Sequence, residues 1–532
     1  APTAAARSLS DTVVDRLAGH GPAPHPVWLP PLQHPPPVGE LLGHGGPLAV
    51  PVGVVDCPFE QCRVPLVAEL DGATGNVAVV GGPRSGKSTA LCTLVLALAA
   101  GHDPAEAVVY GIDLGGGTLS WLTALPHVGA VAGRTEPDLV RRIVARTERL
   151  LRRREAGETG AHVFLVVDGW AGLRRDFEDL EAPITALAGQ GLAYGIHVVV
   201  AAARWAELRP ALKDQLGTRI ELRLGDPAES EMDRRRARNL LDRPAGRGIT
   251  RDGREFVIAL PRLDAGTGTA DLAAAIAASG QALRIRAGGR TAPPITALPG
   301  HVPAERLPVA AAGHVPIGLG DAELEPVALD FVGNPHLVVV GEAGSGKTAA
   351  LRTLCRQLRR VPGTELAVVD YRRGLLGEVE TGYAGTPATA AAMLGGLAER
   401  LRARLPGDHV THEQLRTRSW WQGPEVYVVV DDYDLAAGAA TNPVGVLAEL
   451  LPHAGDIGLH LVLARRGAAG RAMFDPIPAA ARDLGGMGLV LSTNPEEGVV
   501  FGVRAAPRPP GRGVLVTRAG AELVQIGWTD PA

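Results

Sequence analysis

The sequence predicts an α/β protein of two tandem domains, each a parallel sheet flanked by helices, and three observations predict it. Five landmarks recur in the same order in the two halves of the 532-residue chain. Short Val, Leu and Ile runs without polar alternation punctuate both halves, as strands buried on both faces require. Longer stretches of helical character, such as 139–154 and 388–405, separate those runs.

The landmarks fix the repeat. GGPRSGKST at 81–89 is echoed by GEAGSGKTA at 341–349, VVYGID ending at Asp113 by LAVVD ending at Asp370, and VFLVVDG at Asp168 by VYVVVDD at Asp431. GIHVVVAAAR at His197 is echoed by GLHLVLARR at His460, and PAGRG at Arg247 by PPGRG at Arg512. The offsets stay between 257 and 265, which is a tandem duplication with copies of about 230 residues. The order along the chain is a proline-rich N-terminal extension (1–45), a first domain (46–265), a linker (266–300) and a second domain (301–532). GPAPHPVWLPPLQHPPPV and GGRTAPPITALPG read as extended connectors that lie along the following domain.

Composition bounds the function. With 46% hydrophobic and 21% charged residues the chain has ample apolar material for globular cores. A net charge of −4 argues against coating nucleic acid or an anionic membrane, which needs a basic excess. Cys57, Cys62, Cys92 and Cys355 are too few and scattered for a disulfide framework or a zinc set and read as reduced thiols. The longest apolar run, about 90–100, is too short for a bilayer span, so no transmembrane segment is expected. The opening APTAAARS reads as an arbitrary start, as in a fragment of a longer chain or a split form.

Both glycine-rich loops fit the P-loop pattern, each following an apolar strand run (NVAVV, HLVVV) and opening a helix. Their backbone N–H groups turn in around phosphate oxygens, the helix N-terminus adds positive potential and the lysine reaches the outer phosphates. The nucleotide-binding residues are therefore Gly81, Gly82, Pro83, Arg84, Ser85, Gly86, Lys87, Ser88 and Thr89, and Gly341, Glu342, Ala343, Gly344, Ser345, Gly346, Lys347, Thr348 and Ala349. Of 53 basic residues only Lys87, Lys213 and Lys347 are lysine, so an arginine-writing chain keeps the compact ammonium at both phosphate positions. ATP and Mg2+ follow as cofactors, with Ser88 and Asp168 holding one metal ion and Thr348 and Asp431 the other.

The copies then diverge. A second carboxylate next to the metal-binding aspartate commonly orients the attacking water. The second copy has Asp432, assigned here as catalytic, with Asp434 close behind; the first copy has Gly169. Gly169 predicts a first site that binds ATP and hydrolyses it slowly at best. Beyond the strands at His197 and His460, where a phosphate-sensing polar residue is expected, the copies read Ala201-Ala202-Ala203-Arg204 and Ala464-Arg465-Arg466. Arg204, Arg465 or Arg223 could act as an arginine finger or form ordinary salt bridges. His197 and His460 read as structural. The arginine-rich segments 136–155 and 232–243 read as solvated faces of helices.

These motifs, together with VWLPPL, the segment GIHVVVAAARWAELRPALKDQLGTRIELRLGDPAESEMDRR, VVDYRRGLL and PPGRGVLVTR, resemble the C-terminal tandem ATPase domains of EccC, the FtsK/SpoIIIE-type motor of type VII secretion. The resemblance runs from about Val27 to Trp528 and implies RecA/FtsK-like domains on the cytoplasmic side of the plasma membrane. There they would join membrane-anchored partner subunits, oligomerise in the full complex and help export small Esx-type proteins. It further implies that a C-terminal signal on the substrate docks on the last ATPase domain, here the second copy. Two rivals stand beside it: a DNA translocase of the same superfamily, disfavoured by Gly169 and the acidic balance, and a scaffold that binds nucleotide without cleaving it.

Overall fold

A computed structural model of the chain describes residues 8–21, 29, 32, 34–43, 46, 48–438, 442–467 and 475–531. Much of the proline-rich extension, including most of VWLPPL, lies outside these residues. The chain divides into two compact units, 1–296 and 297–532.

The first unit is built on one ten-stranded sheet. Its strands are β1 (Ala49–Cys57), β2 (Cys62–Glu69), β3 (Val77–Val80), β4 (Ala107–Asp113), β5 (Val128–Gly133), β6 (His162–Asp168), β7 (Ile196–Ala202), β8 (Thr218–Leu222), β9 (Arg247–Ile249) and β10 (Glu255–Ile258). They lie in the order β2-β1-β10-β9-β8-β3-β7-β6-β4-β5. The run from β8 to β5 is parallel, and β9, β10, β1 and β2 continue it antiparallel.

The second unit repeats this plan with β11 (His314–Gly320), β12 (Pro326–Asp330), β13 (His336–Val340), β14 (Thr364–Val369), β15 (Tyr383–Ala384), β16 (Glu425–Val430), β17 (Leu459–Arg465), β18 (Met487–Val490), β21 (Arg512–Thr517) and β22 (Gly520–Ile526). A small hairpin, β19 (Val499–Val500) and β20 (Val503–Arg504), stands apart. The order is β12-β11-β22-β21-β18-β13-β17-β16-β14-β15, again parallel from β18 to β15 and antiparallel beyond.

The α/β architecture is as expected, but the sheets are not purely parallel: four antiparallel strands extend each one. A signal for them sits in the sequence as Pro-x-Gly at 51–53 and 316–318. The register of β1 slips between Pro51 and Gly53, and that of β11 between Pro316 and Gly318. A bulge accepts the proline that cannot donate to the ladder, and the glycine lets the neighbouring backbone come close.

The helix Lys87–Gly101 is buried along Ala90–Ala100 because the sheet covers one side and the helix Leu272–Arg286 lies near it. Ile276 and Leu283 of that second helix share a core with Leu91, Leu94 and Leu98. The span 266–300 is therefore a connector lying along the following domain only in its last residues, where Arg512 donates to the carbonyls of Leu298 (2.6 Å) and Pro299 (3.0 Å). It carries a 15-residue helix packed on the first domain, and residues 292–295 then run beside β5, with Ala292 N–H on the Pro126 carbonyl (2.7 Å) and Ile295 N–H on that of Gly129 (3.3 Å). Among the described residues no helix is long and apolar enough to cross a membrane, and all four cysteines are free thiols.

Candidate functional site

In each unit the chain leaves an inner parallel strand, β3 or β13, crosses the glycine-rich loop and enters a helix at its lysine. The residue before the lysine caps the helix in the left-handed region, Gly86 at φ +100° and Gly346 at +102°. A Cβ there would lie 2.9 Å from Gly246 N in the first unit and 2.8 Å from Gly511 N in the second. This assigns a role to the recurrent GRG landmarks: Gly246 N–H donates to the Ser85 carbonyl (2.7 Å) and Gly511 N–H to that of Ser345 (2.8 Å), bracing each loop from behind. From the front, Gly81 N–H donates to the Ala202 carbonyl (3.1 Å) and Gly341 N–H to that of Arg465 (3.2 Å), tying the loops to β7 and β17.

The lysines close the loops. Lys87 Nζ donates to the carbonyls of Gly81 (2.7 Å) and Gly82 (2.9 Å), and Lys347 Nζ to those of Gly341 (2.8 Å) and Glu342 (2.9 Å). Burial holds both ammonium groups below the ordinary lysine range. Ser88 Oγ donates to Asp168 Oδ2 at 2.6 Å and Thr348 Oγ1 to Asp431 Oδ2 at 2.7 Å, so each predicted metal pair is in contact. Burial raises the carboxyls of Asp168 and Asp431 above the usual range, against the lowering effect of those hydroxyls. A hydroxyl and a carboxylate facing each other beside a phosphate loop suit a hard, oxygen-seeking cation such as Mg2+, whose charge would relieve the cost of burying the carboxylate. Among the described residues no group of three or more His, Cys, Asp or Glu side chains forms a metal cluster.

The neighbouring position differs in kind between the units. Gly169 has φ +86°, and a Cβ would lie 2.9 Å from the Leu114 carbonyl carbon and 3.0 Å from Gly115 N. Asp432 is also left-handed, at φ +45°, and its Oδ2 is 2.8 Å from Arg372 Nε. Asp434 accepts from Arg466 N–H (2.7 Å) and pairs with Arg465 (3.5 Å). Both extra acids of the second unit thus face arginines. Asp113 and Asp370, the other landmark aspartates, cap their own loops, accepting backbone N–H groups from Gly115, Gly116, Gly117 and Leu119 and from Arg372 and Leu375.

Of the arginine candidates, Arg223 is taken up structurally, donating to the Leu241 and Arg243 carbonyls. Arg465 is buried against Asp434, whereas Arg204 is 61% exposed, 3.9 Å from both Glu207 and Glu229. The histidines are built in. His197 bonds His162 and the Gly75 carbonyl and stacks on Phe164; His460 bonds Glu425 and the Pro335 carbonyl and stacks on Tyr427. The arginine-rich helix Pro137–Glu155 buries Val140, Ile143, Val144 and Leu151, and its Arg154 donates to the carbonyls of Tyr194, Gly195 and Ala161 as Arg404 does to those of Ile457 and Pro424 in the second unit.

One feature was not read from the sequence. Beside the second loop a cavity of about 300 Å3 opens between His301, Val302, Gly344, Ala349, Pro510 and Trp528. A solitary tryptophan near the end of a chain with 4% aromatic residues was the available signal.

Known proteins agree with this geometry. The FtsK/SpoIIIE family pattern matches residues 48–265. The chain is 51% identical over 98% of its length to the ESX-4 secretion system protein EccC4 of Mycobacterium tuberculosis and 44% identical over 98% to the ESX secretion system protein EccC of Thermomonospora curvata; it spans 44% of each of those longer proteins. It is 36% identical to the ESX-1 secretion system protein EccCb1 of M. tuberculosis, covering 99% of this chain and 97% of that one. Among solved structures, the cytoplasmic domain of the T. curvata type VII secretion ATPase EccC superposes with a TM-score of 0.81 at 43% identity, covering 100% of this chain and 67% of that one. ATPases 2 and 3 of T. curvata EccC, solved in complex with a signal sequence peptide, superpose at 0.78 with 42% identity, covering 94% and 100%. Two braced phosphate loops, two hydroxyl–carboxylate pairs and these matches along nearly the whole length lead to one conclusion: the chain belongs to the EccC family of FtsK/SpoIIIE-type type VII secretion ATPases.

Proposed function

We propose that the chain is the ATP-binding motor module of a type VII secretion complex, holding ATP–Mg2+ at both loops, with weak hydrolysis, and recognising exported Esx-type protein through its second unit. The observation that carries the reading is the matched pair of contacts, Ser88 to Asp168 and Thr348 to Asp431, each beside a lysine already folded over its loop. In this reading Ser88 and Asp168, and Thr348 and Asp431, hold the magnesium ions, which supply charge neutralisation to the phosphates. Lys87 and Lys347 exchange their loop carbonyls for phosphate oxygens, and the cavity between His301 and Trp528 receives the base of the second nucleotide. Asp432 is the second site's catalytic acid, and it must part from Arg372 to orient water.

For the exported protein, the reading places a C-terminal segment at the edge of the second sheet. In the first unit the chain's own residues 292–295 run beside the edge strand β5, with Ala292 and Ile295 buried. The corresponding strand β15 is the terminal strand of its sheet and offers an equivalent edge to a partner. The module would work on the cytoplasmic face of the plasma membrane, held there by membrane-anchored partners and assembled into oligomers.

The test is a pair of titrations on the intact chain. A C-terminal substrate peptide is expected to bind in the micromolar range, duplex DNA only weakly. Binding of DNA alone, with a steep salt dependence, would sink the secretion reading. In parallel, Lys87→Ala and Lys347→Ala should each remove one equivalent of bound ATP.

A further inference from the structure

We infer that Glu207 is the catalytic base of the first phosphate site, supplying from another part of the chain a carboxylate that position 169 lacks. The inference rests on reading that loop as an ATP site. β7 lies beside β3, with Ala202 opposite Val80, and the Ala202 carbonyl holds Gly81 N–H at 3.1 Å. The chain then turns through Trp205–Glu207, and Glu207 Oε2 comes back to accept the N–H of Ala203 at 3.0 Å. The carboxylate therefore sits on the N–H of the same peptide whose carbonyl anchors the first residue of the loop, on the opposite side of that peptide from Gly81. Lys87 Nζ bonds the carbonyl of that same residue.

The turn is fixed from both sides. Trp205 is buried, its indole N–H on Glu221 Oε2 at 2.6 Å, and Arg174 donates to the Glu207 carbonyl at 3.3 Å. The Glu207 side chain is 13% exposed, so it keeps a face to solvent.

The second unit reaches the same arrangement by another route. At the position equivalent to Ala203, Arg466 N–H also holds a carboxylate, that of Asp434 at 2.7 Å, which comes from the short helix Tyr433–Ala437 after β16. Three residues past the metal aspartate the first unit has Ala171 where the second has Asp434. Both units thus place one carboxylate on the N–H that follows the strand beside the phosphate loop, from different points in the sequence. That is the place where the run Ala201-Ala202-Ala203 left no polar group. With ATP bound, the water oxygen would form a bond to the γ-phosphorus as the bond from that phosphorus to the bridging oxygen breaks. The electron pair leaves with ADP, and the water proton passes to Glu207 and then to solvent.

The experiment uses the full chain with the second site disabled by Lys347→Ala, so that turnover reports the first site. Glu207→Gln keeps an oxygen to accept Ala203 N–H and removes the basicity. At saturating ATP, Glu207→Gln is expected to lower steady-state hydrolysis at least tenfold while the Kd for ATP stays within twofold, and Glu207→Asp is expected to retain part of the rate. Unchanged turnover in Glu207→Gln, or no turnover in the Lys347→Ala chain above that of the Lys87→Ala/Lys347→Ala double variant, overturns the assignment while leaving ATP binding intact. Absence of the remaining equivalent of bound ATP in the Lys347→Ala chain overturns the assignment together with the reading of the loop on which it rests.

Discussion

Gly169 carries the chain out of β6 into the helix Trp170–Asp176 at φ +86° and ψ 60°, with the backbone of Leu114 and Gly115 packed where a side chain would begin. Two costs meet there: the left-handed conformation, which L-residues adopt at a penalty, and a contact of 2.9 Å with a backbone that the bond from Leu114 N–H to the Asp168 carbonyl (2.9 Å) holds in place. Asp432 shows that the conformation alone is tolerable for an aspartate, whose short polar side chain suits the left-handed region. Gly169→Ala is therefore expected to cost about 1–3 kcal/mol, read as a lower urea midpoint for the first unit, and Gly169→Glu would lose stability before it restored an acid. An unchanged midpoint in Gly169→Ala would show that the 114–115 backbone yields freely. From the sequence Gly169 was legible as a position without a carboxylate but not as a backbone requirement, because that depends on a loop 55 residues away.

At the scale of elements, one tie repeats in both units. Thr93, on the helix that follows the first loop, donates to the Ala259 carbonyl just past β10 at 2.7 Å, and Thr353, on its counterpart, donates to the Gly527 carbonyl just past β22 at 2.7 Å. Both side chains are fully buried, so each bond fastens the P-loop helix to the antiparallel extension of the sheet. Replacing either threonine by valine keeps the shape and leaves a buried carbonyl without its donor, a loss of about 1–3 kcal/mol. Thr93→Val should destabilise the first unit and Thr353→Val the second, as separate shifts in calorimetric transitions; equal stability in both variants would mean that water replaces the hydroxyl. The parallel strands and both phosphate loops were legible because continuous apolar runs and fixed glycine and lysine spacing are local signals. The antiparallel extension was not: its hairpins are joined into one sheet by pairings about 200 residues apart, as β1 with β10 and β11 with β22, and only the paired Pro-x-Gly bulges hint at them. Glu207 escaped for a different reason, since its contact with Ala203 spans only four residues but is made by a turn and not by a motif.

Across the whole molecule, each unit buries a histidine at the start of a strand beside the nucleotide-bearing part of its sheet, and the two share one pH dependence. His197 is 3% exposed in the first unit and His336 is fully buried in the second, and burial lowers each from the ordinary value of 6.5 to about 4. His336 Nδ1 accepts Leu461 N–H at 3.2 Å, a bond only the unprotonated nitrogen can make. Between pH 6.5 and 4 the unfolded chain binds protons that the folded chain refuses, so stability rises with pH across that window. The contribution is fully present above pH 6.5 and is lost as pH falls toward 4, amounting to about 3 kcal/mol in each unit for a shift of this size. Because the two histidines occupy separate units, both unfolding transitions should move together on acidification. Urea midpoints measured at pH 7.5, 5.5 and 4.5 should fall for both transitions, and His197→Phe should flatten the dependence of the first without flattening the second. Midpoints that hold steady down to pH 4.5 would show that the buried rings do not govern acid stability. Midpoints that fall equally in wild type and His197→Phe would assign the loss in the first unit to other groups, leaving His336 to be tested in the second by the same substitution.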